Sequence, residues 1–332
     1  MPETCPTATI VVPAYNATAT LPATMASLLA QTFGDFEIVL VEDGATDATP
    51  AMCADYAAAD RRVRVVRQAN RGLAGARNTG IAAARGRYVG FCDADDLWLP
   101  GKLAAHVAHL DAIPDLGISY SGSAMIDAAG RRTGHRMTPK LTGVTASDVF
   151  RRNPIGNGSA AVVRAGALRA LAFMPTGETV RPWVFDETFR QSEDIECWLR
   201  LVLTTAWRIE GIPGHLTLYR VHGAGLSADT GAQYASWERM VDKLGPCAPA
   251  FFAAEAPVAR AFQCRYLARR AVSAGDGTAA LGWLRRAFAA SSVPLWRDPG
   301  RTLVTLGATA CLLAFGPAAL RRAEAALLSA RT

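Results

Sequence analysis

No two cysteines in this sequence are spaced as CxxC, and none form a zinc-like grouping. Cys5, Cys53, Cys92, Cys197, Cys247, Cys264 and Cys311 are scattered, mostly among apolar neighbours. That excludes a dithiol redox motif or a zinc ribbon and reads as reduced, structural thiols. The opening MPETCPTATIVVPAYN lacks a basic stretch followed by a long apolar one, so no secretory or transit segment is expected and the chain is expected in the cytoplasm. Repeat arrays and low-complexity tracts are missing too. Gly72, Gly75 and Gly80 do not fit GxGxxG after the first strand, so a dinucleotide fingerprint is excluded. The basic residues accompany no nucleic-acid reading module, and no nucleic-acid partner is expected.

What is present is a chain of 332 residues, long enough for one large domain or two modest ones with a true core. Its charge is uneven. From Gly231 onward 13 Lys/Arg stand against 6 Asp/Glu, a balance of +7, whereas upstream 22 stand against 23. The tail, rather than the body, is therefore the part suited to an anionic surface, a membrane in preference to nucleic acid. The boundary predicts a domain over 1–230 and a helical extension over 231–332. Within the extension, LVTLGATACLLAFGPAAL (303–320) carries no charge. It sits at the lower limit for a spanning helix and is diluted by Gly307, Gly316 and Pro317. A buried or interfacial helix is expected there.

The first hundred residues alternate apolar runs with helical stretches: ATIVVP, FEIVLVED, VRVVRQ and RYVGFCD are strand-like, with helices between them. Continuous apolar strands separated by helices predict a mostly parallel, Rossmann-like sheet covered on both faces, with ligands at the carboxyl ends of the strands. Three of those ends carry polar residues: Pro13 to Asn16, Glu42-Asp43-Gly44, and Asp93-Ala94-Asp95-Asp96. Three carboxylates in four positions repel one another unless a cation or hydrogen-bond donors compensate, so something positive is expected to bind there. Further on, 117–127 and 160–164 read as strands, 129–140 as a mobile polar loop, 191–205 as a helix that Ser192 caps, and 214–222 as a strand. Ile195, Trp198, Leu199, Val202 and Leu203 share one face of that helix.

VVPAYN, VEDGATD, NRGLAGARNTG, GFCDADD, SEDIECWLR and YRVHGAGLS, in that order, resemble the family 2 glycosyltransferases over residues 7 to 230. The resemblance implies the GT-A fold and an inverting transferase, acting in cell-envelope polysaccharide synthesis. A nucleotide-diphosphate sugar, a UDP-sugar by default, would be the donor and a saccharide or lipid-linked saccharide the acceptor. It also implies Mg²⁺ or Mn²⁺ on Asp95, with Asp93 at the metal or the ribose, Asp96 behind them, and His222 completing the shell. Pro13, Tyr15 and Asn16 would contact the nucleotide. Asp43 would accept from its base, next to Glu42 where the family usually has Asp. Arg71 and Arg77 would neutralise phosphates or steady the base. Asp194 would be the base, with Glu193 orienting it or the acceptor, and Asn157, Gly158 and Ser159 would line the acceptor cavity. Peripheral membrane contact through the C-terminal helices would suit a lipid-linked acceptor. A silent sugar-nucleotide-binding protein and a membrane-associated scaffold are the alternatives from other classes.

Overall fold

A computed structural model describes residues 5–221 and 229–329, without the side chains of 321 and 323–329. The chain divides into two compact units, Met1–Val149 with Asn153–Gly223, and Phe150–Arg152 with Ala224–Thr332.

In the first unit nine strands form one sheet. They are β1 Ala8–Ala14, β2 Phe36–Asp43, β3 Val63–Gln68, β4 Tyr88–Phe91, β5 Leu97–Trp98, β6 Leu116–Ile126, β7 Arg132–Met137, β8 Ala161–Arg164 and β9 Arg208–Arg220. Their order is β3-β2-β1-β4-β8-β6-β9-β5, with β7 paired to β6. Every residue of β1 and β2 is buried, without the alternation of a half-exposed strand, because helices cover both faces. These are α1 Leu21–Leu29, α2 Thr49–Ala59, α3 Gly72–Ala83, α4 Lys102–Ala112, α5 Ala146–Arg151, α6 Ala165–Leu171 and α7 Glu193–Thr204.

β1, β2, β3 and β4 are parallel, and the register pairs Ala14 with Glu42 and Val11 with Phe91. Their carboxyl ends therefore open on one edge. Past β4 the sheet changes character: β8 runs antiparallel to β4 and to β6, and only β6 and β9 are parallel there. The expected polar loop at 129–140 contains β7, antiparallel to β6. All of its residues but Met137 are exposed, so a backbone ladder and no apolar pattern holds it. The strand expected at 214–222 begins earlier, at Arg208. In α7 the buried positions are Glu193, Glu196, Cys197, Trp198, Leu199 and Leu201, while Ile195, Val202 and Leu203 are half-buried. Ser192 does not cap it through its side chain. It adopts a left-handed backbone, φ 62°, and its carbonyl accepts from Glu196 N.

The second unit is helical: α8 Thr230–Leu244, α9 Pro249–Ser273, α10 Gly277–Ala290, α11 Val293–Arg297 and α12 Pro299–Ser329. Asp229 and Asp276 cap α8 and α10 through backbone N–H groups. Its core gathers Cys264, Leu267, Ala268, Ala271, Ala280, Trp283, Leu284, Ala287 and Leu312. α12 is broken at Gly316, φ 75°, ahead of Pro317.

Candidate active site

The acidic turn grows out of β4. Its strand is fully buried, and the chain emerges at Asp93, whose carbonyl accepts from Asp96 N at 3.0 Å to close the turn. Asp96 is wholly buried, and one carboxylate oxygen accepts from Arg220 N at 2.9 Å. Burial, reinforced by Asp95 and Asp93, holds its carboxyl well above the usual range. Arg220 also reaches back with its guanidinium to the carbonyls of Asp95, Asp127 and Ala128, so the end of β9 is tied to the turn.

Arg77 joins this turn to α7. Only 2% exposed, it donates from Nη2 to Asp93 Oδ1 at 2.8 Å and from Nη1 to Glu193 Oε1 at 2.9 Å, lying 5.5 Å over the Phe185 ring. Burial opposes its charge, yet Asp93, Glu193 and Asp194 together hold the guanidinium above its ordinary value. Both its arms thus lie on carboxylates in the structure. The Arg71 guanidinium likewise pairs with Glu187 at 2.8 Å and Glu178 at 2.5 Å.

Asp194 follows Glu193 in the first turn of α7. One oxygen accepts from Ile195 N at 2.8 Å, the other from Asn153 Nδ2 at 3.3 Å. Burial, then the neighbouring Glu193, push its carboxyl up to about 7 in spite of Arg77. A helix amino terminus alone would favour the charged form. Desolvation outweighs that term here.

The turn Asn157–Ala160 lies alongside. Ser159 Oγ accepts from Asp93 N at 2.9 Å. The Ser159 carbonyl accepts from Lys102 Nζ at 2.5 Å, Trp98 Nε1 at 3.1 Å and Thr217 Oγ1 at 3.4 Å. Lys102 is fully buried 4.3 Å over the Trp98 ring, and burial drops its ammonium to about 7. Asn157 donates to Ser123 Oγ at 2.9 Å, and its buried Oδ1 has no partner.

At the end of β2, Asp43 is 2% exposed; its Oδ1 accepts from Gln68 Nε2 and Arg71 N. Glu42 accepts from Ala45 N at 2.7 Å, which makes it a brace for the turn through Gly44, φ 69°. Asn16, φ 47°, accepts from Thr46 N, joining the ends of β1 and β2; Pro13 is buried and Tyr15 is half-exposed.

The structure therefore unites Asp93, Arg77, Glu193, Asp194 and Ser159, and sets Asp43, Glu42 and Asn16 on the neighbouring strand ends. His222 lies outside the described residues. Among the described residues no group of three or more His, Cys, Asp or Glu is disposed to hold a metal. A cleft of about 510 Å³ lies at the opposite, amino edge of the strands, lined by Arg85, Arg87, Arg164 and Arg169 among others.

Sequence reasoning missed Lys102, Arg220, Glu178 and Glu187. Lys102 had a signal: it shares the buried stripe of α4 with Leu103, His106, Val107 and Leu110 at helical spacing. The two glutamates had none, being 107 and 116 positions from the arginine they pair with.

Residues 9–171 match the family model Glycosyl transferase family 2. The uncharacterized glycosyltransferase EpsJ of Bacillus subtilis is 52% identical over 91 residues, 27% of this chain and 26% of EpsJ. The Escherichia coli UDP-Glc:alpha-D-GlcNAc-diphosphoundecaprenol beta-1,3-glucosyltransferase WfgD is 34% identical over 30% of this chain and 39% of WfgD. The chain thus spans about a quarter to two fifths of the length of these relatives. Among solved structures, the mannosyltransferase PcManGT from Pyrobaculum calidifontis, in complex with GDP-Man and Mn²⁺, superposes with a TM-score of 0.54 at 21% identity, covering 94% of this chain and 88% of that one. The fold is accordingly GT-A-like.

Proposed function

The chain belongs to glycosyl transferase family 2, and from that premise we propose that it is an inverting, metal-dependent transferase using a nucleotide-diphosphate sugar, UDP-sugar first. The acceptor is a saccharide or lipid-linked saccharide of a cell-envelope polymer, modified at the cytoplasmic face of the membrane. The observation that carries this reading is the Asp93–Arg77–Glu193 bridge, which holds the carboxylate of Asp194 beside the acidic strand end.

In the reaction, the acceptor oxygen attacks the anomeric carbon, the bond from that carbon to the diphosphate breaks, and Asp194 takes the hydroxyl proton. A carboxyl pushed up to about 7 suits this task, because a base matched to the working pH is both substantially deprotonated and basic enough. Glu193, fixed by Arg77, sets the first turn of α7 and so the aim of Asp194. Asp43 keeps one oxygen for the base N–H, since Gln68 and Arg71 both address Oδ1. Asn157, whose buried Oδ1 is unpartnered, faces the acceptor.

With Arg71 and Arg77 already on carboxylates, the diphosphate charge needs another counter-charge. Hard oxygen donors fit Mg²⁺ or Mn²⁺, which take one or two carboxylates beside phosphate oxygens and water. Asp95, Asp93 through the oxygen that Arg77 leaves, and His222 would hold it. Such a cation, when bound, supplies Lewis-acid neutralisation of the departing diphosphate.

The test is Mn²⁺-dependent release of nucleoside diphosphate with a crude lipid-linked acceptor, the donor having been chosen by thermal-shift screening. Asp194→Asn is expected to keep donor binding and lose transfer by roughly 10²-fold or more. Undiminished transfer by that variant overturns the assignment of the base.

A further inference from the structure

α12 is amphipathic the wrong way round for a helix facing water. Its buried stripe is Thr302, Thr305, Thr309 and Leu312, at spacings of 3, 4 and 3, each no more than 6% exposed. The three threonine hydroxyls donate back to carbonyls one turn earlier, those of Asp298, Arg301 and Thr305. The other side carries Leu303 at 61%, Val304 at 72% and Phe315 at 75% exposure, and Trp296 of α11 is 79% exposed. In a soluble protein the apolar stripe of a helix turns to the core and the polar one to water. Small hydroxyl-bearing residues packed inward with aliphatic and aromatic residues outward is the arrangement of helices whose outer solvent is lipid. The most apolar 18-residue window within Pro299–Leu320 has a mean hydropathy of 1.9, and only 17% of it is buried.

We infer that the outward face of α11 and α12, Trp296 with Leu303, Val304 and Phe315, docks into the interface of an anionic lipid bilayer. Charge selects the occupant. Arg297 and Arg301 stand at one end of the face and Arg322 beyond the other, in a unit with a balance of +7 from Gly231 onward. A second copy would bring the same arginines against themselves, whereas anionic headgroups complement them. Geometry selects the depth. From Pro299 to the break at Gly316 the helix is roughly 25 Å long at about 1.5 Å per residue, short of a hydrocarbon core of about 30 Å. Its threonine side is also committed to packing within the helical unit. The helix lies in the interface rather than across the bilayer, with the Trp296 indole at headgroup level. This inference is independent of the catalytic reading.

Flotation of the full chain with vesicles tests it, using phosphatidylcholine alone and mixed with phosphatidylglycerol. Binding is expected to the mixed vesicles and to fall at least tenfold in Val304→Glu/Phe315→Glu, with the melting temperature unchanged because both positions are exposed. Arg297→Gln/Arg301→Gln is expected to lower the dependence on phosphatidylglycerol severalfold. Absence of wild-type binding to mixed vesicles, or equal binding by the glutamate variant, overturns the proposal. So does a dimer in solution that the glutamate variant dissociates while vesicles bind neither protein. Should the glutamate variant misfold, the wild type still decides: the part of its tryptophan emission that is lost in Trp296→Phe should shift to the blue on mixed vesicles. Quenching of that part by bromines placed near the headgroups supports the interfacial depth, and quenching only by bromines at the bilayer centre overturns it.

Discussion

Asp194 has a proton affinity that an aspartate in water lacks, and its consequences run in two directions. On the proposed reading Asp194 must be deprotonated to accept the acceptor proton, so transfer should rise with pH through about 7 and level off above it, a limb absent from donor binding. Stability follows the opposite course. A carboxyl whose folded value exceeds its unfolded value of 3.8 contributes stability that is fully present below about 4 and is lost as pH rises through about 7. Asp194→Asn should therefore be more stable than the wild type at pH 8, by up to roughly 4 kcal/mol, in thermal or urea unfolding. Gly158 offers a second test. A Cβ there would stand 2.2 Å from Arg77 Nη2, so Gly158→Ala should displace the guanidinium from Asp93 and lower kcat at least tenfold, according to steady-state kinetics. The types and positions of Asp93, Asp95 and Asp194 are legible as a motif. The use of Arg77 is not, because its partners are 16 and 116 positions away and a guanidinium suits phosphate and carboxylate equally.

Among the elements, α3 meets β1 through a glycine: a Cβ on Gly80 would lie 2.2 Å from Val11 Cγ1. Gly80→Ala forces the helix off the sheet and should cost about 1–3 kcal/mol in denaturant melts, with the site intact once folded. The strands of the parallel half are readable because each is a short apolar run ending in polar residues. β7 escapes that reading since its side chains are exposed, and the antiparallel pairing of β8 is set by partners far along the chain. The inward face of α7 escapes in part for a different reason. Glu193 and Glu196 are buried by pairing with Arg77 and Arg200, and hydrophobic periodicity does not register a carboxylate that is buried in an ion pair.

At the scale of the whole molecule, the charge asymmetry and the helical tail are visible in composition, but the true seam is not. Phe150 and its neighbours belong with the helices: the Phe150 ring stacks on Trp237 at 5.4 Å and meets Phe252 edge-on at 5.1 Å. A fragment ending at residue 223 would leave that ring in water, and should aggregate or sediment as oligomers in ultracentrifugation until Phe150→Ser is introduced. If, as proposed, the turn at Asn157–Ala160 lines the acceptor side, it has a broader meaning for how such an enzyme diversifies. One carbonyl gripped from three directions cannot swing to suit a new guest. Any change of acceptor preference must therefore come from exchanging the side chains that stand on this fixed ledge, and directed evolution of the enzyme should find its gains there instead of in altered backbone length.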